Sequence, residues 1–222
     1  MSAEKDQGNL GIVTFTQGPA ATNAYLVGDE ASGEAVVIDP AWDGEEILAA
    51  ATARGWRITN IWLTHAHFDH LGGSAAIYEA SDTQVPVALH PADHPLWQVS
   101  GGAAFFGVQG FDPGPEPTVD LMDGMEMRVG SHLFTALHTP GHTPGHMAFY
   151  QQQAAVIFCG DLIFQGSVGR VDLPGGDPQV LLASIRQHVL TLPDDTELLP
   201  GHGPPTTVAR ERNSNPFLVG GW

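Results

Sequence analysis

Apolar residues concentrate over Leu10–Phe15 and Tyr25–Val27 and then run unbroken through Ala35–Ile38. This pattern predicts two strands followed by a buried strand that runs into a turn at Pro40. Asp43 is placed to cap a helix carrying Ile47, Leu48 and Ala51 and ended by Gly55, after which Thr59–Thr64 returns as a short apolar strand. A second helix is predicted over His70–Ala80, a strand over Val85–Leu89, and one or two helical turns over Pro91–Trp97. Regularity lapses between Val99 and Val119, where glycines, prolines and Phe105, Phe106 and Phe111 read as a long loop of the kind that forms lids. Strand patterns resume at Glu126–Val129, His132–His138, His146–Tyr150 and Ala154–Cys159. Gln179–Leu190 then has the i, i+3, i+4 spacing of a helix, and Glu197–Leu199 reads as a last strand. Two successive runs of strands, each followed by helix and strand, predict an α/β (α+β) fold of two similar halves packed together. The chain reads as one domain over 1–222, with residues 1–9 as a flexible tail.

Composition narrows the partners. With 8 Lys and Arg against 25 Asp and Glu the formal charge is −17, and the lone lysine is Lys5. Neutralising several phosphates needs clustered cations, so nucleic acid is excluded as a partner, and a basic membrane anchor falls with it. No stretch reaches the run of about 18 apolar residues that a membrane helix requires. A single cysteine, Cys159, makes no intrachain disulfide, and Met1–Asp6 lacks the apolar core of a signal peptide, which points to the cytoplasm. An acidic surface also repels anionic ligands at long range, so an anionic substrate must be drawn in by something local, such as a pair of metal ions.

The dense chemical signal is Thr64-His65-Ala66-His67-Phe68-Asp69-His70, where a buried strand is predicted to give way to a helix. His65 and His67 are two residues apart, so an extended backbone turns both to one side, while Asp69 and His70 can face back over the strand end. Four ligands this close crowd one tetrahedral ion but suit two ions about 3.5–4 Å apart that share further ligands. The candidates for those are His142, Asp161 and His202, each beside glycine at the end of an apolar strand. Taken singly, each serves equally well as an ordinary turn residue or helix cap.

The remaining candidates have plainer readings. Cys159, in an apolar strand with nothing basic beside it, reads as a buried structural thiol. His138 and His146 flank the His142 turn; each reads as a support holding a metal ligand by hydrogen bonding or, more simply, as a strand histidine facing solvent or core. His90, His94, His132 and His188 read as polar surface residues. Arg170 is balanced between clamping a substrate carboxylate and pairing with Asp172 or Asp177.

Together the residues resemble the metallo-β-lactamase-fold hydrolases, whose His-x-His-x-Asp-His signature is met at His65, His67, Asp69 and His70 and followed by His142, Asp161 and His202. Within that superfamily the chain is most similar to the short type II glyoxalases, the hydroxyacylglutathione hydrolase-like proteins. That similarity runs through Thr139–His146, Gly169–Asp177, Leu199–Pro204 and Glu211–Phe217. The resemblance implies an αββα sandwich with the metal site at one edge between two mixed sheets. It implies a first metal on His65, His67 and His142, a second on Asp69, His70 and His202, and Asp161 bridging both. Zinc comes first among the metals, with iron and manganese also suited to mixed imidazole and carboxylate donors. The implied reaction is hydrolysis of a small acyl thioester, such as S-lactoylglutathione to lactate and glutathione. A metal-bridging hydroxide, oriented by Asp69, would be the nucleophile. Rivals within the superfamily are a persulfide dioxygenase with one iron and a lactonase, and outside enzymes a metal-stabilised binding scaffold.

Overall fold

The computed structural model describes residues 9–81 and 84–220. Of the tail expected over 1–9, only Asn9 falls among them, and its carbonyl accepts the Glu30 N–H at 2.8 Å. One six-stranded sheet is formed by β1 (Leu10–Gln17), β2 (Thr22–Asp29), β3 (Glu34–Ile38), β4 (Arg57–Trp62), β5 (Val87–Leu89) and β6 (Val119–Asp120), in that spatial order. The second half supplies β7 (Glu126–Val129), β8 (His132–His138), β9 (Met147–Gln151) and β10 (Val156–Gly160). A small hairpin follows, β11 (Ile163–Phe164) and β12 (Ser167–Val168), and then β13 (Glu197–Pro200) and β14 (Thr206–Thr207). The second sheet has the order β14-β13-β10-β9-β8-β7. Both halves begin as an antiparallel meander and then add a parallel strand, β4 beside β3 in one and β13 beside β10 in the other.

Side chains alternating along each strand make three apolar layers. Tyr25, Val27, Val36, Ile38 and Trp62 of the first sheet meet Phe134, Met147, Phe149, Phe158 and Leu199 of the second in the central layer. The opposite faces of the same strands present Leu26, Val37 and Ile61 to Ile47 and Ile77 of helices α1 (Gly44–Arg54) and α2 (Ser74–Glu79). Ile157, Cys159 and Leu198 likewise meet Leu181 of α4 (Pro178–Ser184), which follows a short α3 (His94–Gln98) in the chain. Strands buried on both faces explain why Ala35–Ile38 and Val156–Cys159 read as continuous apolar runs rather than alternating ones. The layering is the expected αββα sandwich. No helix among the described residues is long and apolar enough to cross a membrane.

The caps of α1 are those the sequence predicts: the Asp43 side chain accepts Glu46 N–H, and Gly55 closes the helix at φ 69°. The helix expected over His70–Ala80 is shorter. Phe68–His70 is a 3-10 turn, and α2 starts only at Ser74, because Gly72 and Gly73 donate their N–H groups to Ala41 and Pro40 rather than to the preceding turn. A Cβ on Gly72 would meet the Ala41 oxygen at 2.7 Å, so the pair lies hard against the end of β3. The irregular stretch from Val99 also gains structure, as a kinked 3-10 helix over Ser100–Phe106. After α4 the helix widens into a π-helical turn over Ile185–Val189, and the chain closes with α5 (Val208–Ser214) and α6 (Pro216–Val219).

Candidate metal centre

The carboxyl ends of β3, β4, β8, β10 and β13 all deliver polar side chains to one edge of the sandwich, the place where open α/β sheets bind ligands. Strand β2 pins that edge across the two sheets. Asn23 N–H donates to Gly201 O at 2.7 Å, Tyr25 Oη–H donates to Pro200 O at 2.7 Å, and Thr22 forms an isolated bridge with His202.

Asp39, at the end of β3, organises the run from Thr64 to His70. Buried and held at φ 50°, it accepts Thr64 N–H at 2.7 Å and Thr64 Oγ1–H at 2.6 Å, and lies 2.9 Å from His70 Nδ1. Because the Thr64 hydroxyl hydrogen is engaged with Asp39, its oxygen accepts from His65 Nδ1 at 3.0 Å. His142 Nδ1 donates to the Arg170 carbonyl at 2.7 Å, and His202 Nδ1 to the Ala20 carbonyl at 3.2 Å. These partners fix the tautomers. The Nε2 atoms of His65, His70, His142 and His202 are left aimed inward, each offering a lone pair once its ring is neutral.

Two groups of donors result, each with its atoms within 4.8 Å of one another: His65, His67 and His142, and Asp69, His70 and His202. In the first, His142 Nε2 lies 3.2 Å from His65 Nε2 and 2.9 Å from His67 Nδ1. One proton can serve the His67–His142 contact, but it leaves the His65 lone pair facing another nitrogen. A cation satisfies all three. In the second group His202 Nε2 is 3.3 Å from Asp69 Oδ2, and buried His70 Nε2 is 3.7 Å from the same oxygen with no hydrogen-bond partner. Asp161 stands between the groups, with Oδ2 3.5 Å from both His142 and His202 and Oδ1 3.5 Å from His70, itself unpartnered. Unpaired lone pairs and carboxylate oxygens around one point form a donor set that divalent cations fit. A third grouping, Asp39, His65 and His70, is geometrically close, but its carboxylate is already taken by Thr64 and His70.

Electrostatics separates the groups. Burial, reinforced by the neighbouring histidines, pushes His65 well below the usual imidazole range and His67 down to about 3. His70 and His202 are also desolvated, yet the carboxylates of Asp69 and Asp161 outweigh burial and hold them up at about 9 and about 10. Burial works against ionising Asp69 and Asp161, but the adjacent histidines keep both carboxyls well below the ordinary carboxylate range.

All seven residues singled out from the sequence thus converge on one cavity edge. The cavity, about 230 Å³, is lined by His67, Asp69, His142, Asp161 and His202 together with Ala20, Phe68, Phe106, Arg170 and Leu173. Arg170 stands on its wall with the guanidinium fork on Asp172, Nε to Oδ1 at 2.7 Å and Nη2 to Oδ2 at 2.8 Å, which is the ion pair weighed from the sequence. The aromatic residues of the loop divide: Phe106 joins this wall, Phe111 packs on Trp42 and Phe68, and Phe105 is exposed.

Other residues have roles the sequence did not reveal. Asp39 is one. Asp93 is another: buried, it accepts Ala66 N–H, Thr143 Oγ1–H and Gly145 N–H, tying the loop of His65 and His67 to the loop of His142. Thr22 donates to Asp69 Oδ2 at 2.9 Å. For His146 the supporting alternative weighed from the sequence is the one the geometry favours: it is buried, Nδ1 lies 2.8 Å from Thr139 Oγ1, and Nε2 accepts the Asp161 N–H at 3.1 Å. His132, expected at the surface, is buried beside Asp29 because β8 starts within the central layer. Cys159 faces the helix layer, and burial pushes its thiol up.

A two-sheet sandwich with a histidine and carboxylate cluster at one edge is the architecture of a metallo-hydrolase. The description "Metallo-beta-lactamase superfamily" matches residues 17–202, and the chain belongs to that superfamily. It is 38% identical over 206 residues to the "Probable metallo-hydrolase YqgX" of Bacillus subtilis, covering 91% of this chain and 95% of that one. It is 32% identical over 196 residues to "Hydroxyacylglutathione hydrolase GloC" of Haemophilus influenzae, covering 88% and 92%. Among solved structures, TTHA1623 in a di-iron-bound form is 46% identical with a TM-score of 0.83, covering 93% of this chain and all of that one, 100%. The BLEG-1 B3 metallo-beta-lactamase is 37% identical with a TM-score of 0.87, covering 94% and 100%. ETHE1 from Myxococcus xanthus is 29% identical with a TM-score of 0.78, covering 95% and 85%.

Proposed function

We propose that the protein is a metal-dependent hydrolase of small acyl thioesters, similar to type II glyoxalases, working on two divalent cations. One is held by His65, His67 and His142, the other by Asp69, His70 and His202, with Asp161 shared. The observation that carries this reading is the pairing of the two groups through Asp161, with the outward nitrogens of four of the histidines already committed to hydrogen bonds. Bound there, the cations supply Lewis acidity, which makes a water nucleophilic near neutral pH and polarises an acyl carbonyl. Zinc and iron both suit the donors, and the di-iron form of TTHA1623 supports iron as strongly as the ligand chemistry supports zinc.

The chain's own contribution is orientation. Asp69, steadied by Thr22, lines the cavity and is placed to hold the attacking water and take up its proton. The water oxygen bonds to the acyl carbon, the carbon–sulfur bond breaks, and the proton passes to the departing thiolate. A thiolate leaves readily, since free thiols have pKa values of about 8.5, so no strong general acid is required. The named activity of GloC supports a thioester substrate.

Two other readings have specific support, and the same experiment tests them. Protein loaded separately with zinc and with iron is assayed for S-lactoylglutathione hydrolysis, for oxygen uptake with glutathione persulfide, and for β-lactam hydrolysis, the last because of BLEG-1. Thioester cleavage without oxygen uptake is the expected result. Oxygen consumption by a form with one iron per chain and no hydrolysis would overturn the proposal and assign Asp69, His70 and His202 to orientation alone.

A further inference from the structure

We infer that an apolar cup beside the candidate metal centre selects thioesters bearing an uncharged apolar substituent of about the size of a phenyl ring. This inference rests on the thioester reading above and names its substrate class. The cup is formed by Leu96, Val99, Phe105, Phe106, Leu173 and Pro174, with His67 at its inner end, and its volume is about 190 Å³. His67, Phe106 and Leu173 also line the cavity of the metal centre, so the two spaces share a wall and a molecule seated at the centre can extend into the cup. An apolar cavity of roughly 150 Å³ is enough to take up benzene.

The backbone is built to form this space. Ser100, Gly101 and Gly102 are three consecutive left-handed residues, at φ 53°, 61° and 74°. A Cβ on Gly101 would lie 2.3 Å from Phe68 N, so the turn is pressed against the loop that carries His67 and Asp69. Its consequence is that Val99, Phe105 and Phe106 stand around an opening, 62%, 80% and 43% exposed. Large side chains left uncovered next to a reactive centre mark a binding surface more often than a defect of packing.

Charge argues against an anionic occupant. Among the described residues lining the cup and the adjoining cavity, the one arginine or lysine is Arg170, and Asp172 holds its fork. The tripeptide of a glutathione thioester carries two carboxylates and would find no other Lys or Arg in these walls, within a chain of net charge −17. A neutral apolar group incurs no such desolvation or repulsion.

Two pairs of substrates test the inference on the metal-loaded protein: acetyl against phenylacetyl thioesters of one small neutral thiol, and acetyl thioesters of methanethiol against benzyl mercaptan. The first pair places the ring on the acyl side, the second on the thiol side. A kcat/KM at least tenfold higher for the ring-bearing member of one pair is expected, as is a lower value for S-lactoylglutathione. Leu96→Lys, and separately the more exposed Val99→Lys, should bring that ratio toward one. Independently of turnover, toluene titrated into methyl-labelled protein should shift the Leu96, Val99 and Leu173 methyl resonances. Ratios within twofold in both pairs, or toluene shifts confined to other methyls, would overturn the cup. If no thioester is cleaved while toluene still occupies the cup, it is the hydrolase reading that fails, and the substrate class named here fails with it.

Discussion

The two donor groups lie side by side yet differ in almost every physical respect. His65, His67 and His142 are all nitrogen and buried at the floor of the cavity, and His65 and His67 are kept neutral by desolvation. Asp69, His70 and His202 combine a carboxylate with two imidazoles that the same carboxylates hold in the protonated range, and His202 is partly open to solvent. A cation entering the first group would meet the neutral rings of His65 and His67. One entering the second must displace protons, drawn in by the negative charge of Asp69 and Asp161. Asp161 lies 3.5 Å from His142 and from His202, and in the proposed role it would couple the two groups.

The comparison breaks most completely at the shared ligand. Asp161→Ala should lower turnover by more than the 10–100-fold typical of residues that only orient a ligand. Metal analysis should find fewer metals per chain, and full metal content would show that Asp161 is not shared. Next in size is Asp39→Asn, which turns an acceptor of three hydrogen bonds into an amide facing Thr64 and His70. Metal affinity is expected to fall by about 10–100-fold, measured by competition with a chelator. An unchanged affinity would separate His70 from the metal.

Acidification sharpens the difference. Protons compete at His70 below about 9 and at His202 below about 10, whereas His67 resists protonation down to about 3. Metal affinity of the second group therefore weakens steadily as pH falls through neutrality, where His65 and His67 of the first group take up no proton. Metal counts at successive pH values should show one equivalent lost well before the other, and simultaneous loss would contradict the assignment. The smallest effect is expected at Asp93→Asn, which places an amide opposite backbone and hydroxyl donors. It should cost about 1–3 kcal/mol in denaturant unfolding, with turnover reduced less than by Asp39→Asn.

The run from His65 to His70 is legible in sequence because its geometry is local: four donors within six residues need only a strand end and a turn to converge. His142, Asp161 and His202, each glycine-flanked at a strand end, are ambiguous one by one and become legible only beside that run and the family resemblance. The residues that orient them are not. Asp39 reaches Thr64 across 25 positions, Asp93 reaches Thr143 across 50, and Thr22 reaches Asp69 across 47. Each also sits where a local explanation suffices, a strand end, a helical turn or a strand start. His146 is half legible: flanking the His142 turn suggests a support, but nothing local names the Asp161 amide as its partner. The shortened second helix has the same origin, in backbone hydrogen bonds from Gly72 and Gly73 to a distant strand end. Strands buried on both faces, by contrast, announce themselves as unbroken apolar runs, so the strands and the two halves are readable from pattern, while the sandwich they build is what the resemblance implied.

Crystals of metal-loaded protein, examined by anomalous scattering at the absorption edge of the bound metal, test the central claim most directly. The account predicts two peaks about 3.5–4 Å apart, one among His65, His67 and His142, the other among Asp69, His70 and His202, with Asp161 touching both. A single peak on the first group, with none among Asp69, His70 and His202, would contradict it.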